Sequence, residues 1–123
     1  MSTRALIIVK DDFEEYGIYR HSDGYPYSKH GVIYSLQEAF VYAWPLPRFE
    51  AADFAAAIIA GWKDEGGGGV YLSETDTVDV DVDYIYTINE VDGDIWIEIN
   101  DGREDEVFSG FYTEAVKLFS RGK

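Results

Sequence analysis

The sequence predicts one α+β domain spanning residues 1–123, in which an antiparallel sheet of about five strands carries two or three helices on one face. Three observations lead there. Apolar residues recur with a period of two between Tyr16 and His21 and again from Thr77 onward, and with helical spacing from Leu36 to Trp62. Proline and glycine punctuate these stretches at Pro45-Leu-Pro47 and Gly66–Gly69. With 123 residues, 46% of them hydrophobic, the chain is long enough to bury one core. It has no cysteine, so neither a disulfide framework nor a thiolate metal site is available.

The elements follow in order. Arg4 to Lys10 reads as a buried strand and Tyr16 to His21 as its hairpin partner, with Asp11-Asp-Phe-Glu-Glu15 as the loop. In the second strand Tyr16, Ile18 and Arg20 share one face, and Gly17, Tyr19 and His21 the other. Ser35-Leu-Gln-Glu38 has capping-box form and predicts a helix start; Leu36, Ala39, Phe40, Ala43 and Trp44 then lie on one face until Pro45 stops it. A second helix is expected from about Arg48 to Lys63, with Ala51, Phe54, Ala55, Ile58 and Trp62 as its apolar stripe. Strands resume at Val70–Ser73 and in one long alternating run, Thr77–Asn89, whose expected inner face is Val78, Val80, Val82, Tyr84, Tyr86 and Ile88. Asp92-Gly93 suits a two-residue hairpin turn, and pairing across it sets Ile88 opposite Ile97 and Tyr86 opposite Ile99. Val107–Phe111 is expected as a last strand and Tyr112–Ser120 as a short helix burying Ala115, Leu118 and Phe119.

The formal charge of −14 is unevenly placed. Between Asp64 and Glu106 there are fifteen acidic residues and a single base, Arg103, while the rest of the chain balances to zero. Such a surface repels the phosphate backbone, so direct nucleic-acid binding is not expected, and it favours a basic protein partner or simple solubility. The apolar run Ala5–Val9 is too short for a membrane span or a signal-peptide core. A cytoplasmic protein, without membrane association, is the expectation.

Asp79, Asp81 and Asp83 form the candidate partner-binding ladder. With Glu90 they match the carboxylate spacing of an EF-hand loop, but Tyr84 stands where that loop needs glycine, and the alternation implies an extended backbone. The Gly66–Gly69 run lacks the Lys-Ser/Thr of a phosphate loop and precedes a strand. Ser2, as an N-terminal nucleophile, has no evident oxyanion hole, and no catalytic residue is assigned. His21, Asp23 and His30 supply the ligand types of a facial triad, but Asp23-Gly24 is by itself a good turn, so no metal or cofactor is assigned. Arg4, Tyr19, His21, Asp23 and Tyr25 are the candidate ligand-binding residues: tyrosines beside Arg4, Arg20 and Lys29 suit a nucleotide-like molecule, stacking a base and pairing a phosphate.

Met1-Ser-Thr-Arg-Ala5, followed by Ile18-Tyr-Arg-His-Ser-Asp-Gly-Tyr-Pro26 and Gly31, resembles a group of small uncharacterised bacteriophage and prophage proteins. These begin with a Thr-Arg pair and carry a tyrosine, then Asp-Gly-Tyr-Pro, then a helix. This chain departs from them at Ser2, where glycine is frequent, and at Tyr27-Ser28, where Ser-Gly often follows the proline. The resemblance implies a phage or prophage origin and no particular mechanism. A site shared with that group would comprise Thr3, Arg4, Tyr19, His21, Asp23, Gly24, Tyr25 and Pro26. The functional expectation is an accessory protein that binds a host protein through its acidic surface, with a small-molecule or metal binder centred on residues 19–30 as the alternative.

Overall fold

A computed structural model describes residues 2–64, 66, 69–76, 81–103 and 105–119. Strands β1 (Ala5–Lys10), β2 (Glu15–Arg20), β3 (Val70–Ser73), β4 (Tyr84–Val91), β5 (Asp94–Asp101) and β6 (Glu106–Phe111) lie in the order β3-β2-β1-β4-β5-β6. Every neighbouring pair is antiparallel except β1 and β4, which run parallel with Ile7 beside Tyr86 and Val9 beside Ile88. The expected antiparallel sheet of about five strands is therefore six-stranded and mixed. The physical reason is the path from β3 to β4. Both strands run in the direction of β1, so the chain must return across the sheet before β4 can start.

The described ends of that return both lie on the face away from the helices. A Cβ at Gly17 would lie 2.7 Å from the carbonyl oxygens of both Ser73 and Glu74, so only glycine lets the chain leave β3 over β2. At the far end Val82 packs on Leu6 and Ile8. Val82 thus sits on the opposite face from Tyr86 and Ile88, and β4 begins at Tyr84, correcting the single long strand from Thr77. Val78, Asp79 and Val80 lie outside the described residues.

The helical layer comprises α1 (Val32–Ser35), a 3₁₀ turn (Leu36–Glu38), α2 (Ala39–Tyr42), α3 (Ala51–Asp64) and α4 (Tyr112–Phe119). It covers Ala5, Ile7, Val9, Ile18, Tyr86, Ile88, Ile95, Ile97 and Ile99. Residues Phe54, Ala55, Ile58 and Trp62 of α3 are buried, as its stripe predicts. The helix starts at Ala51, later than expected, because the Asp11 carboxylate accepts the Ala51 N–H at 2.8 Å and caps it from the β1–β2 hairpin. Ser35 does not cap a helix. It lies inside a helical segment that already begins at Val32, and its hydroxyl accepts from Arg20 and donates to the Val32 carbonyl. Phe40 and Trp44, expected inward, are both more than a third exposed, because the segment breaks into short turns instead of holding one face.

The β4–β5 hairpin has the expected register, with Ile88 opposite Ile97 and Tyr86 opposite Ile99. Its turn residues Asp92 and Gly93 have φ of 53° and 81°, the left-handed pair that a tight hairpin demands. In α4, Ala115 is buried and Phe119 packs edge-on against Phe108, but Leu118 points outward, beyond the reach of the sheet.

Candidate functional site

The Asp23-Gly24-Tyr25-Pro26 loop folds back onto the N-terminal strand. The Gly24 N–H donates to the Thr3 carbonyl at 2.9 Å, and a Cβ at Gly24 would lie 2.8 Å from backbone atoms of Thr3 and Arg4. The left-handed residue of the turn is Asp23, with φ 56°; Gly24 is required for the close approach. The Tyr86 hydroxyl donates to the Gly24 carbonyl at 2.5 Å from inside the core, and burial raises its pKa well above the ordinary tyrosine value. Tyr25 donates to Asp23 Oδ1 at 2.8 Å, a bond that raises the Tyr25 pKa, and its ring stacks on Tyr27 at 5.1 Å. The Thr-Arg pair and the Asp-Gly-Tyr-Pro motif, twenty residues apart in the chain, are therefore one interlocked structure.

Beside this loop, at the C-terminal end of β2, opens a cleft of about 260 Å³ lined by Arg20, His21, Asp23, Lys29, His30, Ser35 and Trp62, with Gly66, Gly69 and Val70 at its rim. Arg20 organises it. Its guanidinium stacks over the Trp62 ring at 4.3 Å, and donates from Nε to the Ser22 carbonyl, from one terminal nitrogen to Ser35 Oγ at 2.7 Å, and from the other to the His30 carbonyl at 2.8 Å. Trp62 is held in turn by its indole N–H, which donates to the Ser35 carbonyl at 3.1 Å.

The residues singled out in the sequence divide between two places. His21, Asp23 and His30 line this cleft, yet among the described residues no group of three or more His, Asp or Glu side chains is placed to hold a metal ion. Arg4 and Tyr19 lie outside it, on the return-crossing side of the sheet. There the Tyr19 hydroxyl meets His21 Nδ1 at 2.9 Å and its ring lies 4.9 Å from Tyr71, and partial burial raises the Tyr19 pKa. Arg4 pairs with Asp81 at 3.1 Å, and the Arg4 N–H donates to Asp83 at 2.9 Å. Two carboxylates of the expected ladder thus hold the start of β1, and Asp79 lies outside the described residues. Arg20 and Lys29, expected beside the tyrosines as phosphate-pairing groups, lie in this cleft, whereas Ser35 and Trp62 were not among the candidates. The signal for Arg20 was present: it shares the helix-facing side of β2 with Tyr16 and Ile18, an unusual position for a charge.

A second cleft, of about 520 Å³, lies at the opposite end of β2. Asp11, Asp12, Glu14, Glu50 and Glu90 line it with Lys10, Asn89, Phe13 and Phe49. Asp11 builds the turn: one oxygen accepts the Phe13 and Glu14 N–H groups at 2.8 and 2.9 Å, while the other caps α3. These backbone donors, that of Ala51 foremost, hold the Asp11 carboxyl below its ordinary value. The Phe13 ring, at the tip, is 91% exposed on a backbone that these bonds fix. Glu14 accepts the Tyr16 hydroxyl at 2.8 Å and Glu90 accepts the Gly93 N–H, which sets both carboxylates at the rim.

No protein-family profile, curated protein or solved structure matches this chain. Among the described residues no helix is long and apolar enough to cross a membrane.

Proposed function

We propose that this is a non-catalytic binding protein, phage- or prophage-encoded as the motif resemblance implies, that takes hold of a basic segment of a host protein. The observation that carries this reading is the acidic cleft around Phe13. An aromatic ring held outward on a fixed turn is a preorganised anchor, able to insert between the aliphatic stems of lysine or arginine side chains. The carboxylates that line the same cleft supply the charge complement, and the Phe13 ring face offers a cation–π contact. The net charge of −14 would steer a cationic partner from a distance. Acidic residues near Asp79, Asp81 and Asp83 would add to that field more than to the contact, because Asp81 and Asp83 already bond Arg4.

The test is fluorescence anisotropy with a labelled arginine- and leucine-containing peptide at low and moderate salt. Phe13→Ala should weaken binding by about tenfold, the cost of removing a central aromatic anchor. Its fold should be unchanged, because that ring is in water. Equal affinity for Phe13→Ala and the parent, or binding indifferent to salt, would sink the proposal. The combined Asp79→Asn, Asp81→Asn and Asp83→Asn variant should lose less than Phe13→Ala.

A further inference from the structure

We infer that strand β3 joins two copies of this chain into a weak, reversible dimer, pairing antiparallel with β3 of a second copy so that the two sheets become one. Among the described residues β3 and β6 are the outermost strands, and the two edges are finished differently. On β6 the Glu114 carboxylate accepts the Phe111 N–H at 3.3 Å, Glu106 is exposed, and the pairing with β5 shifts register at Ile99 and Asn100. Charges and bulges of this kind keep other strands from docking. β3 has no such charge: the run from Gly66 to Ser73 contains no charged residue, in a chain of net charge −14. Tyr71 is 55% and Leu72 69% exposed there. The chain that follows turns away from the edge, over Gly17 of β2.

The backbone sets the register. The His21 N–H donates to the Gly69 carbonyl at 3.0 Å, so Gly69, and by alternation Tyr71 and Ser73, direct their amides and carbonyls to β2. Val70 and Leu72 point theirs outward. Two antiparallel strands related by a twofold axis at Tyr71 set Val70 of each opposite Leu72 of the other, and both pairs exchange N–H···O bonds. On the helix-facing side, exposed Leu72 then lies beside Val70 of the second copy. On the other side Tyr71 meets its own counterpart at the close spacing of a non-hydrogen-bonded pair, about 4.5 Å between Cα atoms. The Tyr19–Tyr71 ring contact is thereby continued across the seam. The strand has only four residues, so the seam is shorter than that of a permanent dimer, and the charge on each copy opposes approach. Salt should therefore tighten this dimer, whereas it weakens capture of a basic peptide. No residue of β3 lines the Phe13 cleft, so the two readings stand or fall separately.

The experiment is sedimentation velocity from about 10 μM to about 1 mM protein at low and moderate salt, with amide hydrogen exchange at both ends of that range. The expected result is a monomer–dimer equilibrium strengthened by salt, with exchange at the Val70 and Leu72 amides slowed at high concentration. Leu72→Lys should raise the dissociation constant by about tenfold, although it lowers the net repulsion between copies. Val107→Lys, on the β6 edge, should leave it unchanged. Both side chains are exposed, so an unaltered circular dichroism spectrum of each variant establishes that the fold survives. A dimer indifferent to Leu72→Lys, or slowed exchange in β6 instead of β3, would overturn the proposal. Monomers at every concentration would overturn it too, and would leave this edge to a strand of another protein.

Discussion

The two clefts share strand β2 and are held in opposite ways. At the basic end, the loop from Ser22 to Gly31 is clamped by close backbone approaches and by a hydroxyl from the core: Gly24 against Thr3 and Arg4, Gly31 against Tyr25 and Tyr27, and Tyr86 on the Gly24 carbonyl. At the acidic end one carboxylate, Asp11, does the holding from the surface, and what it holds includes a phenylalanine in water. The difference teaches where rigidity comes from. The basic loop is part of the core's packing and should fail only with it, whereas the acidic turn rests on one ionised group and can be loosened alone.

Gly31→Ala should be the sharpest way to break the basic end. A Cβ there would lie 2.2 Å from the Tyr27 carbonyl oxygen, a backbone atom that cannot swing aside. The expected loss exceeds about 3 kcal/mol, measured by urea denaturation. Stability close to the parent's would show that the loop yields, contrary to its description as a clamp. Tyr86→Phe comes next. It removes the hydroxyl from a buried carbonyl, which should cost about 1–3 kcal/mol, and the amide shifts should concentrate in residues 22–31 and leave residues 11–14 in place.

The same contrast explains what could be read in advance. The β4–β5 hairpin was legible because its turn dipeptide and its alternation agree locally, and the α3 stripe because Phe54, Ile58 and Trp62 follow the helical period. The parallel pairing of β1 with β4 was not, since nothing in either strand says which way its neighbour runs. Nor was the reversal of Val82 to the second face, which depends on the path the chain takes from Glu74. Ser35 misled because a capping-box pattern is also an ordinary helix interior when an upstream glycine starts the helix. At the candidate sites, His21, Asp23 and His30 could be found from their clustering. Trp62 and Phe49 could not, because they reach the clefts from α3 and from the segment before it.

Acid should separate the two ends. Asp11 is held below its ordinary value of 3.8 by the Ala51, Phe13 and Glu14 amides, so the charged carboxylate stabilises the folded state fully above that value. The contribution drains as the pH falls through the lowered folded value. Asp11→Asn should be less stable than the parent at neutral pH, by less than Tyr86→Phe, and the gap should narrow in strong acid, as followed by circular dichroism at stepped pH. A gap independent of pH would show that charge at Asp11 is not what holds the turn. In base the expectation reverses sides: burial raises the pKa of Tyr86 and Tyr112, so their contribution is complete below about pH 10 and lost as the pH rises further.

The smallest expected effect belongs to Asp81→Asn, and it is the one that bears most directly on where a basic partner would sit. Asp81 is 92% exposed and its pair with Arg4 is bathed in water, where such pairs contribute little to stability. No measurable change in the denaturation midpoint is expected. Asp83→Asn should do more, because Asp83 accepts a backbone N–H at the start of β1, a donor otherwise left without that bond. Peptide binding should respond differently. If the carboxylates of residues 64–106 act through their summed field, Asp81→Asn slows association slightly and leaves the dissociation rate alone, while Phe13→Ala raises the dissociation rate. A dissociation rate raised more by Asp81→Asn than by Phe13→Ala would move the contact to the Arg4 end of the sheet, where Asp81 and Asp83 bond Arg4.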